Sequence, residues 1–170
     1  MIPINTSLIG SHIIRIKPNG STDCLILRRS EETNYYPGTW QILTGHVKEG
    51  ETAVDAVHRE IHEEIGLRPL LVYSMNHVIR FFEHQDNSIY LVPLFIGIVP
   101  LSARIKLNLK EHQRYKWCTL QEAQRQLYWL QHRRSLTHVQ REFIDKTPEE
   151  WLKVYEKQSS IDQNRISSEK

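Results

Sequence analysis

The 170-residue chain is poor in cysteine and contains no long unbroken apolar run. Its two cysteines, Cys24 and Cys118, each lie in an apolar, strand-like stretch, which excludes a disulfide framework and predicts buried, reduced thiols. The longest apolar run, residues 89–101, is interrupted by two prolines and a glycine and is too short for a membrane span of about 20 residues. Residues 1–10 lack the basic start and apolar run of a signal peptide, so we expect a cytoplasmic protein without a membrane partner.

The chain is 39% hydrophobic and 25% charged, which is the composition of an ordinary globular domain. The net charge of +2 conceals an asymmetry. Residues 30–70 contain eight acids and three bases, whereas residues 103–141 contain nine bases and two acids. The two segments either neutralise each other or form a metal site that faces an anionic ligand.

The apolar patterns predict a mixed α/β (α+β) fold built from two hairpins, short strands and a few helices. Turn residues 18–20 separate the first pair of strands, and polar residues 83–87 separate the second pair. The predicted strands cover residues 8–17, 24–29, 40–43, 70–82, 88–99 and 114–119, and the predicted helices cover residues 52–65, 120–127 and 135–144.

Residues 1–146 are long enough for one domain. After them, Thr147 and Pro148 resemble the start of a helix, with Trp151 and Tyr155 spaced to share one helical face. We therefore expect residues 147–158 to form a C-terminal helix that docks on the domain. Residues 159–170 are polar and aperiodic, which predicts a disordered tail.

Three carboxylates share one stripe of the predicted helix over residues 52–65. At 100° per residue, Glu60, Glu63 and Glu64 fall within about 100°, beside a core-facing stripe that includes Val57 and Ile61. Their mutual repulsion disfavours the helix unless a cation lies among them, and Mg²⁺ or Mn²⁺ prefers such oxygen ligands. The alternative is a solvated acidic face that is neutralised by nearby arginines.

The spacing of the whole segment resembles the signature of the Nudix hydrolases, and every fixed position of that signature is matched. The matching residues are Gly45, Glu51, Arg59, Glu60, Ile61, Glu63, Glu64, Gly66 and Leu67. The resemblance implies an αβα sandwich with a mixed central sheet over roughly residues 5–145. In this fold class the segment after residue 146 would be a C-terminal helical extension.

The resemblance also implies that the protein hydrolyses a phosphoanhydride bond with Mg²⁺ or Mn²⁺ as cofactor. Glu60, Glu63 and Glu64 would bind the metal or act as the base, and the Gly45 carbonyl would be a further ligand. Arg59 would orient the glutamates through Glu63 and Asp55, while Glu51 would support the site from outside it. Which glutamate accepts the proton of the attacking water stays open.

Glu111 is a further candidate ligand or base. It precedes a predicted strand, and the pattern from Glu111 and His112 to Trp117 resembles a loop that supplies such an acid in the family. The alternative is an ordinary surface acid. With the glutamates in place, the implied reaction is in-line attack of an activated water on phosphorus.

The substrate is indicated by residues outside the signature. Trp40 and Gln41 before it, Arg28 and Arg29 at the end of a strand, and Arg133 are candidate substrate-binding residues. Together with the Glu111 segment, they resemble the bacterial dihydroneopterin triphosphate pyrophosphatases and their dATP pyrophosphohydrolase-like relatives. The implied substrate is a pterin or nucleoside triphosphate, the products are a monophosphate and pyrophosphate, and the pathway is folate synthesis. The ordinary alternative is that Trp40 is a core residue and that the arginines are surface cations.

Two other functions are compatible with the sequence. The basic segment suits a dinucleoside polyphosphate or RNA 5′-end pyrophosphohydrolase, although RNA is not the favoured partner. A non-catalytic nucleotide-binding domain would usually lack signature carboxylates, and none is missing here. A monomer and a homodimer are equally compatible with the sequence.

Overall fold

The structure, a computed structural model, describes residues 1–158, which form one mixed β-sheet between helices. The strands are β1 (Ile4–Asn5), β2 (Leu8–Ile16), β3 (Thr22–Arg29), β4 (Trp40–Gln41), β5 (Leu43–His46), β6 (Leu71–Glu83), β7 (Ser88–Ile98), β8 (His112–Cys118) and β9 (Lys153–Glu156). The helices are α1 (Ala53–Ile65), α2 (Leu120–Gln126) and α3 (Leu130–Val139). Both predicted hairpins are present, as β2–β3 and β6–β7.

The sheet has the strand order β4-β3-β2-β7-β6-β9, with β2 and β7 parallel at its centre. Three further pairings complete the sheet: β1 runs parallel to β7, β5 runs antiparallel to β2, and β8 runs antiparallel to β3. Because a short loop joins β5 to α1 and β8 follows a loop beside the end of β3, the sheet brings the glutamates of α1 and Glu111 to one edge.

Alternate residues of the central strands face opposite layers of helix. Leu25 and Leu27 of β3 pack in the cluster that contains the apolar face of α1, whereas Cys24 and Ile26 pack in the cluster that contains α2 and α3. Both cysteines are free and buried, as predicted. The two cores on either face of one sheet confirm the αβα sandwich.

Helix α1 begins one residue after the predicted start, ends at the predicted residue and has the predicted faces. Thr52 and Asp55 form a reciprocal capping box at its start, and Gly66 ends it in the left-handed conformation, with φ 69°. Val57 and Ile61 are buried in the core, and Glu60 and Glu64 are buried at its edge. The glutamates of α1 therefore lie at the rim of the core, as their helical spacing predicts.

The predicted C-terminal helix is wrong. Residues 147–158 contain one 3-10 turn, Glu150–Leu152, followed by β9, which pairs antiparallel with β6. A segment this short gains little from helix formation, whereas the otherwise unpaired edge of β6 offers backbone donors and acceptors. The segment does dock on the domain: Leu152 is buried, and Tyr155 packs edge-on against His58 of α1 at 4.3 Å. The predicted disordered tail lies outside the described residues.

Helix α3 begins at Leu130, five residues before the predicted start, and continues as a π-helical turn over Gln140–Ile144. Its first turn is mostly polar, so apolar periodicity gave no sign of it. The earlier start matters because it carries His132 to the wall of a cleft. Among residues 1–158, no helix has the length and apolar character needed to cross a membrane.

Candidate active site

A cleft of about 790 Å³ opens between β5, α1, the β6–β7 hairpin and the start of α3. Its two ends differ in chemistry. The acidic end is lined by Glu60, Glu63, Glu64 and Glu111. The aromatic end is lined by Tyr36, Phe81, Tyr90 and Trp129.

Arg59 holds three carboxylates in place: Glu60 and Glu63 of the acidic end, and Glu51 beside it. Its guanidinium donates to both oxygens of Glu51, at 2.8 and 2.9 Å, to Glu60 at 2.7 Å and to Glu63 at 3.1 Å. The bond from Arg59 lowers the pKa of Glu51 to about 2, and the carboxylates in turn raise the pKa of Arg59. The predicted contact with Glu63 is present, but Asp55 is occupied by the capping box at the start of α1.

Gly45 of β5 lies against the side chain of Glu60. A Cβ atom on Gly45 would overlap the Glu60 side chain, so only glycine allows the strand to approach the helix this closely. The next residue, His46, accepts a hydrogen bond from Arg59 at 2.6 Å through its carbonyl oxygen. The strand and the helix therefore meet at the carboxylates.

Glu64 forms a buried hydrogen bond with His112, at 2.8 Å between Oε2 and Nε2. Burial raises the pKa of Glu64, and the nearby Glu111 and Glu60 raise it further. Burial also lowers the pKa of His112 to about 4, with a further contribution from Arg29. Both groups therefore favour their neutral forms in the absence of a cation.

The loop that carries Glu111 is attached to the end of α1. Lys106 and Asn108 donate their backbone N–H groups to the carbonyls of Ile65 and Glu64, at 2.9 and 2.8 Å. These carbonyls are among those that a helix end leaves without an intrahelical partner. Asn108 also donates to the Glu111 carboxylate at 3.2 Å, so the loop fixes Glu111 beside the glutamates of the helix.

The acidic end fits a divalent cation. Ligand atoms of Glu64, Glu111 and His112 lie within 4.8 Å of one another, and Glu60 is adjacent. Oxygen-rich donor sets of this kind suit hard cations such as Mg²⁺ or Mn²⁺. Burial and the neighbouring carboxylates Glu60 and Glu63 raise the pKa of Glu111, and a cation would relieve that repulsion.

The structure brings most of the sequence-predicted residues into the cleft, but three lie elsewhere. Arg28 donates to the Gly38 carbonyl at 2.9 Å and pairs with Glu31. Trp40 packs partly on the core beneath a separate surface depression, and Arg133 is not part of the cleft wall. Those that line the cleft are Arg29, Gln41, Gly45, Arg59, Glu60, Glu63, Glu64 and Glu111.

Sequence reasoning missed the partner of Glu64 and the aromatic end. His112 precedes the predicted strand over residues 114–119, and a register shift in the pairing of β8 with β3 at this point breaks the alternation that could have placed its side chain. Tyr36 sits in a loop with no periodicity, at φ 47°, and gave no sequence signal. Phe81 and Tyr90 both fall in predicted strands. Their pairing across β6 and β7, however, depends on the strand register, which the sequence did not reveal.

Comparison with known proteins agrees with this architecture. A family model described as the NUDIX domain matches residues 9–139, and the chain belongs to that family. It is therefore a hydrolase that acts on phosphoanhydride bonds. The nucleoside triphosphatase NudI of Escherichia coli K12 is 31% identical over 100 residues, which cover 55% of this chain and 70% of NudI.

Two solved structures share the fold. The E. coli dihydroneopterin triphosphate pyrophosphohydrolase superposes with a TM-score of 0.66 at 22% identity, covering 85% of this chain and 99% of that one. An Ap4A hydrolase of C. elegans superposes with a TM-score of 0.65 at 24% identity, covering 79% and 94%. These likenesses confirm the Nudix sandwich.

Proposed function

We propose that the protein is a Mg²⁺- or Mn²⁺-dependent pyrophosphohydrolase that converts a nucleoside-type triphosphate to a monophosphate and pyrophosphate. The best candidates for the substrate are dihydroneopterin triphosphate and deoxynucleoside triphosphates. One observation carries the proposal: four carboxylates converge at one end of a cleft whose other end is aromatic. A charged polyphosphate joined to a flat ring has the same division of chemistry.

Glu60, Glu64 and Glu111, with the Gly45 carbonyl nearby, would hold the cation, and Glu63 would complete the set at the cleft entrance. When bound, the cation neutralises phosphate oxygens and makes a water more acidic. Arg29 and Lys48 line the same cleft and are placed to offset the remaining charge of the triphosphate. Arg59 acts by holding Glu60 and Glu63 in position and not by contacting phosphate.

Glu111 is our candidate for the proton acceptor. Glu60 and Glu63 accept hydrogen bonds from Arg59, and Glu64 is bonded to His112. Glu111 receives only the weaker bond from the Asn108 amide among the described residues. It therefore retains lone pairs that can take a proton from the attacking water, which leaves hydroxide to attack phosphorus in line.

The test is a substrate panel in which pyrophosphate and phosphate release are measured separately, with Mg²⁺ and with Mn²⁺. The panel contains dihydroneopterin triphosphate, the deoxynucleoside triphosphates, a dinucleoside tetraphosphate and a 5′-triphosphorylated RNA. We expect pyrophosphate from a triphosphate, and a loss of at least about a hundredfold in kcat for Glu111→Gln. Glu49→Gln, an exposed acid outside the cleft, is the matched control.

Negligible turnover of every triphosphate would contradict the proposal. Preferential cleavage of the dinucleoside tetraphosphate or of RNA would establish one of the two alternative substrates. Ligand binding without hydrolysis would indicate a binding domain. The place in folate synthesis, the cytoplasmic location and the choice between monomer and homodimer stay predictions.

A further inference from the structure

The aromatic end of the cleft provides two kinds of ring surface. Phe81 of β6 and Tyr90 of β7 are cross-strand partners whose rings stack nearly parallel, with centroids 5.1 Å apart and an interplanar angle of 6°. Tyr36 and Trp129 form a second pair, edge to face at 4.5 Å. The first pair belongs to the sheet, and the second joins a loop to the start of α3. The aromatic end is therefore lined by residues from different layers of the fold.

Two carboxylates from the β6–β7 hairpin also line this end, Glu83 and Asp86. The Glu83 side chain is 12% exposed and accepts from the Tyr36 hydroxyl at 3.2 Å and from the backbone N–H of Gln85 at 3.1 Å. Asp86 accepts from the Tyr90 hydroxyl. These phenols keep their protons: burial and the Glu83 bond raise the pKa of Tyr36, and the Asp86 bond raises that of Tyr90 to about 12.

A carboxylate can only accept hydrogen bonds, and its two oxygens can accept two at once. Guanine and pterins present adjacent ring N–H and amino N–H donors on one edge, which match such an acceptor. Adenine and cytosine present one amino group beside a ring nitrogen lone pair, which a carboxylate repels. Uracil presents one N–H between two carbonyl oxygens. A carboxylate in an aromatic pocket thus discriminates among flat heterocycles by their edges.

The geometry points to a heterocycle subsite at the aromatic end, in which Glu83 selects rings with the 2-amino-4-oxo edge shared by guanine and pterins. This inference rests on the proposed function, because it names the substrate class of the same cleft. Phe81, Tyr90 and Trp129 supply apolar and ring contacts that any base can use. Glu83 supplies the choice between bases, because its carboxylate, which accepts from the Tyr36 hydroxyl, can accept the two N–H donors of that edge in its place.

His132 is a second, independent polar group on the wall of this cleft. It is 6% exposed, and its Nδ1 atom has no hydrogen-bond partner among residues 1–158. Unpaired buried polar atoms are uncommon in folded proteins, and each one needs an explanation such as a bound water or ion.

The test compares kcat/KM for GTP, ITP, ATP, UTP and dihydroneopterin triphosphate at saturating Mg²⁺. ITP is the sharpest comparison, because it differs from GTP only by the missing 2-amino group. A hydrogen bond to a charged group corresponds to about ten- to a hundredfold in kcat/KM. We therefore expect GTP and dihydroneopterin triphosphate to exceed ITP by at least about tenfold, and Glu83→Gln to remove most of that difference. Comparison of kcat/KM for GTP with that for dihydroneopterin triphosphate then shows whether the subsite prefers a purine or a pterin.

Two variants serve as controls. Glu32→Gln changes an exposed acid outside the cleft and should leave the GTP-to-ITP ratio unchanged. Trp129→Leu should lower kcat/KM for every substrate but preserve the GTP-to-ITP ratio, because contacts with the face of a ring do not depend on the donors and acceptors at its edge. Thermal unfolding of each variant separates loss of selectivity from loss of fold.

A second measurement separates this inference from the proposed function. Titration calorimetry with GMP, IMP and AMP in the absence of metal measures the subsite without hydrolysis. Tighter GMP binding that Glu83→Gln abolishes supports the subsite even if no triphosphate is cleaved. Pyrophosphate release from all triphosphates at equal kcat/KM, with equal binding of the three monophosphates, overturns the subsite while leaving the proposed function intact.

Discussion

Glu64 in α1 and His112 in β8 are 48 residues apart in the chain, yet their side chains share a buried hydrogen bond of 2.8 Å. The bond joins the helix that carries the signature to the strand that follows Glu111. Because the loop before β8 also donates two backbone bonds to the end of α1, helix and loop form one unit. The position of Glu111 relative to the helix glutamates therefore depends on this pairing.

Replacement of His112 by leucine should lower both stability and metal affinity. Glu64 would stay buried without its partner, which costs about 1–3 kcal/mol of the free energy of unfolding. Residues that orient metal ligands typically change affinity by about ten- to a hundredfold. Urea unfolding and a Mn²⁺ titration measure the two effects. His84→Leu, at an exposed histidine in the β6–β7 hairpin, is the control, and a His112→Leu protein with wild-type Mn²⁺ affinity would contradict this role.

The sequence was sufficient to predict the Nudix sandwich, helix α1 and the glutamates of the acidic end. The reason is local: caps, helical period and signature spacing all lie within residues 45–67. The aromatic end could not be predicted, because Phe81 and Tyr90 meet through strand register and Tyr36 arrives from an irregular loop.

The error at the C terminus has a different origin. The start signal at Thr147 and Pro148 and the spacing of Trp151 and Tyr155 are genuine helical features. They were outweighed by a tertiary partner, the free edge of β6, which no local pattern reveals. Arg28, Trp40 and Arg133 were similarly assigned from resemblance alone, and none of them lines the cleft.

Gly45→Ala should disrupt the site through Glu60. The added methyl group would overlap the Glu60 side chain, so either the glutamate or the strand must move. We expect about 1–3 kcal/mol of destabilisation and a large loss of kcat. The double variant Gly45→Ala with Glu60→Ala removes the overlap and should regain stability without regaining activity. Failure of the double variant to regain stability would show that the strain lies elsewhere.

Stability should fall as the pH is lowered from about 6.5 toward 3. Burial lowers the pKa of both His12 and His132 to about 3, whereas an unfolded histidine has a pKa of about 6.5. Between these two pKa values the unfolded chain binds protons that the folded chain does not. Each histidine therefore lowers the free energy of unfolding by about 1.4 kcal/mol for each pH unit by which the pH falls. The loss is absent above the unfolded pKa and is complete below the folded one.

The variant His12→Gln tests this dependence. His12 bonds the Ser135 hydroxyl at 2.8 Å, and that hydroxyl donates its proton to the His132 carbonyl, so the histidine must donate from Nε2. The glutamine amide reaches about as far as Nε2 and can keep that bond without titrating. Urea unfolding between pH 4.5 and 6.5 should show a smaller change of the free energy of unfolding with pH for His12→Gln than for the wild type. Equal pH dependence of the two proteins would contradict the assignment.

Leu152→Ala should destabilise the protein, whereas Trp151→Ala should not. Leu152 is 7% exposed and packs in the core on the side of α2 and α3, while its larger neighbour Trp151 is 69% exposed. Truncation of a buried leucine costs about 2–5 kcal/mol, and an exposed substitution costs within about 0.5 kcal/mol. Urea unfolding of the full chain measures both. Leu152 directly precedes β9, which pairs with the edge of β6, so equally small effects would mean that this segment does not stabilise the sheet.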